Sequence, residues 1–209
     1  MNSKSLFFGA LAGVAVLGVA LVLFVTRANT AVDTAGETLT VSFTADGTTR
    51  SLELRKVGSD ALEGARFVSG SSSAKNTVVE FSDYQCPACA AFATQFEGRF
   101  KSELVDTGLV RFAYRDFPLQ QHPNAPIASQ AAACAQESGR FEEYKAILFR
   151  GQEQWSDSSA QAAPQQFAEY ATYVGLNKAA FLECIAKNGA KDAIAADVSM
   201  GRKVGLSST

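Results

Sequence analysis

Thr77-Val78-Val79-Glu80-Phe81-Ser82 runs directly into Asp83-Tyr84-Gln85-Cys86-Pro87-Ala88-Cys89. The first six residues are β-branched and apolar around a single carboxylate, and turn-forming residues flank them. They read as a short buried strand. Pro87 suits the first position of a helix, where its missing N–H has no intrahelical partner to lose. Phe92, Phe96 and Phe100 recur every four residues, so that helix carries one apolar face to about Glu103. Cys86 then stands at the helix N-cap, where free backbone N–H groups and the helix dipole favour negative charge. A thiolate there falls below the free pKa of about 8.5 and becomes both nucleophile and good leaving group. Cys89, one turn in, is expected to be mostly buried. Cys86 would take the mixed disulfide with substrate and Cys89 would resolve it, with Pro87 and Ala88 forming the loop between them.

Two other readings of the cysteine pair stand beside this one. Cys-x-x-Cys is half of a zinc site, but the other candidates are single cysteines about 45 and 95 residues on and one histidine, His122. That is not metal spacing, and no metal site is expected. A structural disulfide is the second alternative. No other cofactor is called for.

Outward from this stretch, Gly108 breaks the chain before a second strand over residues 109–117. After Pro118 the pattern turns helical: 127–138, 141–150, 164–174, 178–188 and 190–203. Glycine follows most of these helices, and Pro164 or Asn177 opens one. The order is strand, helix, strand, then a helical block, which is one βαβ unit with a large helical insertion at about 119–203. Upstream, residues 38–56 alternate apolar and polar around Asp46-Gly47 and read as a β-hairpin. Residues 58–75, rich in Gly and Ser, read as a linker, and 28–37 as a tether.

Residues 6–25 carry no charge and no proline. As a helix they span roughly 30 Å, the hydrocarbon thickness of a bilayer. Residues 1–27 are therefore expected to be an N-terminal membrane anchor, with Lys4 on the cytoplasmic side. A cleaved signal peptide is the alternative. Either way the rest of the chain would face outside the cytoplasm, on a single-pass cell-membrane protein or a secreted one. The 209 residues carry 19 Lys plus Arg against 21 Asp plus Glu, a net charge of −2, which gives no footprint for nucleic acid. Apolar residues at 47% and charged residues at 19% exclude a disordered chain.

Residues 78–89 resemble the active-site segment of the DsbA-like thiol–disulfide oxidoreductases of the thioredoxin superfamily. The helical insertion, His122-Pro123, Ala131-Ala132-Ala133-Cys134-Ala135 and Gly139-Arg140-Phe141 are similar to that family as well. The resemblance covers roughly residues 75–209. It implies an α/β thioredoxin-like fold with a helical insertion after the second strand. It also implies a C-terminal ββα half beginning with a cis-proline beside the cysteines. No proline follows Pro164, and Val204-Gly205-Leu206-Ser207-Ser208-Thr209 looks like the approach to that proline. The ββα half is therefore expected to be missing, which would leave residues 78–82 short of one sheet neighbour.

Glu80 lies six residues before Cys86 in an apolar strand. There it would point beneath the helix, close to Cys89, with a pKa raised by burial, and the resemblance implies that it exchanges the proton of Cys89. A glutamate on an edge strand facing water is the plainer alternative. Cys134 and Cys184 fall in different helices of the insertion. Outside the cytoplasm they read as a structural disulfide, and some relatives carry a second bridge in this block. Two buried reduced thiols are the alternative. His122 reads as a capping or surface residue and Trp155 as packing under its loop.

The function this implies is a dithiol oxidase introducing disulfides into unfolded or reduced secreted proteins. The resemblance implies regeneration by a membrane quinone-linked partner. A reductase or isomerase on the same scaffold, or a non-catalytic anchored module, are the rival readings.

Overall fold

The structure is a computed structural model. It describes the backbone of residues 22–26, 38–45 and 48–209 and the side chains of residues 54–209. Its centre is a pair of parallel strands, β5 (Asn76–Ser82) and β6 (Val110–Asp116), in register from Asn76 opposite Val110 to Ser82 opposite Asp116. With β1 (Val22–Thr26), β2 (Thr38–Ala45), β3 (Thr48–Lys56) and β4 (Phe67–Ser69), they form one sheet in the order β2-β3-β1-β5-β6-β4.

Strand periodicity divides the core into two. Val78 on β5 and Phe112 and Tyr114 on β6 join a large aromatic and alanine-rich cluster under the helical block. Val79, Phe81, Ala113 and Phe117 point to the opposite face, against Ala61 and Leu206. A strand covered on both faces is continuously apolar, so Glu80 stands out chemically.

Between β5 and β6 run α1 (Pro87–Gln95), α2 (Glu97–Phe100) and a π turn over Lys101–Val105. The single helix expected to about Glu103 is thus broken at Phe96. The Thr94 hydroxyl donates to the Ala90 carbonyl 2.7 Å away, a back-bond that bends helices, just before the break. The insertion comprises α3 (Ala125–Glu137), α4 (Phe141–Arg150), α5 (Gln152–Trp155), α6 (Ala163–Tyr173) and α7 (Lys178–Lys187). The turn of α5 lies where the sequence reads as loop. It is held by Trp155, wholly buried, whose indole N–H donates to the Leu148 carbonyl. The last helix, α8 (Lys191–Lys203), lies on the other face of the sheet. Arg115 of β6 and Asp197 of α8 pair there, out of solvent.

Three expectations change. The membrane-spanning helix over residues 6–25 is overturned. Its end, Val22–Thr26, is strand β1, antiparallel to β5 and parallel to β3, and no described helix is long and apolar enough to cross a membrane. Val22, Val25 and Thr26 are β-branched around Phe24, a composition suited to a pleated neighbour. The exposed backbone edge of β5 supplies the hydrogen-bonding partners. Residues 6–21 lie outside the described residues. With that helix goes the basis for single-pass membrane attachment and for a membrane quinone-linked partner beside it. Second, β5 does not lack a neighbour, because β1 takes that side. Third, residues 58–75 are not a simple linker: Ser59–Leu62 forms a 3-10 turn with Ala61 fully buried, and β4 pairs antiparallel with β6.

Gly201 marks the closest approach of α8 to the sheet. A β-carbon there would lie 2.4 Å from the buried Phe117 ring and 3.1 Å from Phe81. Gly201→Ala should therefore destabilise the domain by about 1–3 kcal/mol, read as a lower urea midpoint at unchanged m-value. Cys134 of α3 and Cys184 of α7 are joined by a disulfide, with Cα atoms 6.0 Å apart and a sequence separation of 50. Replacing both with serine should cost about 4 kcal/mol by the loop-entropy relation, measured by denaturant unfolding of the oxidised protein against the double variant.

Candidate active site

Asp83, Tyr84 and Gln85 turn the chain from β5 into α1. The Cys86 amide donates to the Asp83 carbonyl at 3.0 Å, and the Ala90 amide donates to the Cys86 carbonyl at 3.1 Å. Cys86 is the N-cap of α1, in extended backbone, with Pro87 as the first helical residue. One helical turn then separates two very different sulfurs. Cys86 retains 6% exposure and Cys89 none. Both are free thiols.

Cys86 is held down to about 5, first by the hydrogen bond from the Cys89 thiol. Thr209 and the backbone amides of Cys89 and Ala88 add to this, while burial opposes it. The Cys86 sulfur also lies 3.5 Å from the Thr209 carbonyl, to which its thiol donates. The Cys89 thiol is driven well above its ordinary range. Its bond to Cys86 favours the protonated form, burial adds to that, and the Cys86 charge adds again. The Asp83 amide donates to the Cys89 sulfur at 3.5 Å and works the other way.

Residues far off in sequence hold the turn. The Gln152 side-chain amide donates to the carbonyls of Tyr84 at 2.7 Å and Cys86 at 2.9 Å. The Gln85 side chain bridges the Ser156 carbonyl and the Asn124 amide, both at 2.8 Å. Asn124 donates in turn to the carbonyls of Trp155, Ser156 and Ser158. Asp83, fully buried, accepts from Gln85, Leu119 and the His122 ring. Sequence reasoning missed Gln85, Asn124, Gln152 and Asp83. Their only sequence signal was Asp83 and Gln85 flanking the pair, and amides in loops carry none. His122, read as capping or surface display, is instead tied to Asp83.

Glu80 is wholly buried on the face of β5 that meets α1 and the insertion. Among the described residues neither of its carboxylate oxygens has a hydrogen-bond partner, and no bond joins it to Cys89. Burial pushes its pKa up to about 7, with the charge of Glu97 adding, and the ammonium groups of Lys145 and Lys101 pulling back. Lys145 is itself buried, pairs with Glu97, and sits 5.1 Å from the centre of the Tyr114 ring, Tyr114 being the cross-strand partner of Glu80. Burial opposes the charge on Glu97, yet the two lysines outweigh it and keep Glu97 below the usual carboxylate range. Lys101, 2.9 Å from Glu97, and Glu142 carry this chain of charges out to the surface.

The pattern of the thioredoxin family matches residues 63–209. The chain belongs to that family. Among solved structures, BdbD from Bacillus subtilis in its oxidised form superposes with a TM-score of 0.62 at 22% identity, over 71% of this chain and 80% of that one. The alpha-DsbA1 of Wolbachia pipientis gives 0.59 at 21%, over 68% and 70%. The fold shared with these structures is the thioredoxin-like α/β fold with a helical insertion. A Na(+)/H(+) antiporter, NhaA 3 of Salinispora tropica, is 33% identical over 143 residues, which are 68% of this chain and 20% of that protein. The chain thus spans about a fifth of the antiporter's length. Among the described residues no cluster of three or more His, Cys, Asp or Glu could hold a metal ion.

A carboxyl raised by folding binds its proton more tightly in the native state than in the unfolded chain. Its stabilising share is present below the ordinary carboxylate range near 4.5 and is lost as pH rises towards about 7. Wild-type protein should therefore lose roughly 3 kcal/mol more than Glu80→Gln across that window. Urea unfolding at pH 4.5 and pH 7.5 measures the difference.

Proposed function

We propose that this domain is a dithiol oxidase for protein thiols, working through Cys86 and Cys89. The observation that carries the reading is the unequal state of the two sulfurs: Cys86 held down to about 5 at a helix N-cap, Cys89 raised and buried one turn behind. A thiolate stabilised in the reduced pair makes that form low in free energy, and hence makes the corresponding disulfide strongly oxidising.

In the reaction a substrate thiolate attacks the Cys86 sulfur of the Cys86–Cys89 disulfide. The bond between the two cysteines breaks, and Cys89 leaves as a thiolate that takes up a proton. Glu80, poised near neutrality on the same face, supplies that proton. The second thiolate of the substrate then attacks its own sulfur in the mixed disulfide, and Cys86 leaves as the stabilised thiolate. Two electrons pass in all: the substrate dithiol becomes a disulfide and gives up two protons, one of which replaces the proton Glu80 gave to Cys89 while the other goes to solvent, because Cys86 stays a thiolate. Pro87 and Ala88 set the spacing of the pair, and the Cys134–Cys184 bridge keeps the insertion packed over it without taking part.

Iodoacetamide alkylation of the reduced protein across pH tests this assignment. Cys86 should react with a midpoint near 5, and a midpoint near 8.5 would overturn it. Glu80→Gln should slow oxidation of a reduced peptide dithiol about tenfold or more while the alkylation midpoint moves little. Unchanged exchange would remove Glu80 from the mechanism.

A further inference from the structure

We propose that His122, acting through Asp83, is a positioning residue for the buried sulfur Cys89. This rests on the reading that Cys89 leaves and resolves the bond to Cys86. The main chain of Asp83 touches both cysteines: its N–H donates to the Cys89 sulfur at 3.5 Å, and its carbonyl accepts from the Cys86 amide at 3.0 Å. Where this one residue stands therefore sets how a main-chain hydrogen bond from the turn after β5 reaches the inner sulfur.

The side chain of Asp83 is what anchors it. The carboxylate is fully buried, and a buried carboxylate is held where its donors are. Oδ1 accepts from the Gln85 amide at 2.7 Å. Oδ2 accepts from the Leu119 amide at 2.7 Å and lies 2.8 Å from His122 Nδ1. The first of these bonds is internal to the turn and cannot tie it to anything else. The other two come from the loop after β6, and of these only His122 is a side chain. Its own backbone is fixed by the Leu119 carbonyl before it and by the Ala125 amide at the start of α3. A continuous path thus runs from the first helix of the insertion, through His122 and Asp83, to the Cys89 sulfur.

The chemistry gives this path a consequence. Cys89 is without solvent contact, so a thiolate formed there depends on the N–H groups already aimed at it. Removing the imidazole leaves Oδ2 one donor short and frees the carboxylate to rotate, carrying the Asp83 amide out of line with the sulfur. Cys86, stabilised chiefly by Cys89 and by the amides of α1, would keep its thiolate. The larger effect should fall on the inner sulfur.

The aromatic disulfide 5,5′-dithiobis-(2-nitrobenzoate) separates the two sulfurs in reduced full-length protein. Cys86 thiolate attacks it, forming the mixed disulfide and releasing one nitrothiolate. Cys89 loses its proton to solvent and attacks the Cys86 sulfur, closing the pair and releasing the second. Two sulfurs are oxidised, the reagent's one disulfide is reduced, and one proton, that of Cys89, is freed. In His122→Ala and His122→Gln the second phase should slow about tenfold while the first stays within about twofold of wild type. Gln reaches towards the Nε2 position, whereas Asn places an amide donor near Nδ1, so His122→Asn should keep the second phase within about threefold. Equal second phases in Asn and Gln variants, or first and second phases slowed together, would overturn the proposal, and this pair decides it even if His122→Ala does not fold. A wild-type protein with no fast first phase would instead overturn the oxidase reading.

Discussion

A Cys89 thiol with no solvent contact gives up its proton only against a large desolvation cost, and the Cys86 charge one helical turn away raises that cost further. The same hydrogen bond that keeps Cys89 protonated stabilises Cys86 as a thiolate. The two sulfurs are one coupled system: whatever lowers one raises the other. The proposed exchange would call for a nearby carboxyl that can hold a proton at neutral pH, for main-chain donors aimed at the inner sulfur, and for a turn that does not drift. Each of these is supplied by a different part of the chain.

The carboxyl is supplied together with the charges that tune it. Left alone in an apolar sheet, Glu80 would hold its proton more tightly still. Lys145 and Lys101 pull it back, and Glu97, paired with both lysines, limits how far they do so. A buried ion pair is weak evidence for stability, because desolvating both charges consumes most of the attraction between them. Placed beside Tyr114, across the strand from Glu80, the pair is better understood through the field it imposes on that carboxyl. It also joins α2 to α4, so the packing of the insertion and the electrostatics of the site share side chains. Arg115 and Asp197, on the far face of the sheet, seat α8, and Arg115 also binds the carbonyls of Ala61 and Glu63.

What the sequence made legible was local. The strand, the proline-led helix and the two cysteines at fixed spacing are read from adjacent residues, because helix and strand periodicity are short-range properties. Glu80 was legible for the same reason: a carboxylate in a buried strand is an anomaly visible in one line of sequence. The helices of the insertion carry start and stop residues, and the structure follows them closely. Long-range pairing was not legible. Residues 6–25 are apolar enough for a bilayer, and nothing local distinguishes that use from a strand seated on the edge of β5, which is where Val22–Thr26 lies. Gln85, Asn124 and Gln152 are polar residues in turns, indistinguishable from solvated ones until the fold brings them together.

Those amides also decide what the insertion is for. A helical block that merely covered one face of the sheet would need only an apolar underside. This one directs Gln152 to the carbonyls of Tyr84 and Cys86, and locks Gln85 between Asn124 and the Ser156 carbonyl. Every bond goes to the backbone or to a residue beside the reactive pair, so the insertion constrains the path of the turn rather than the chemistry of its sulfurs directly. A turn whose carbonyls are bound from outside the βαβ unit is held to one path, and in the proposed exchange an incoming thiolate would meet a loop already set in place.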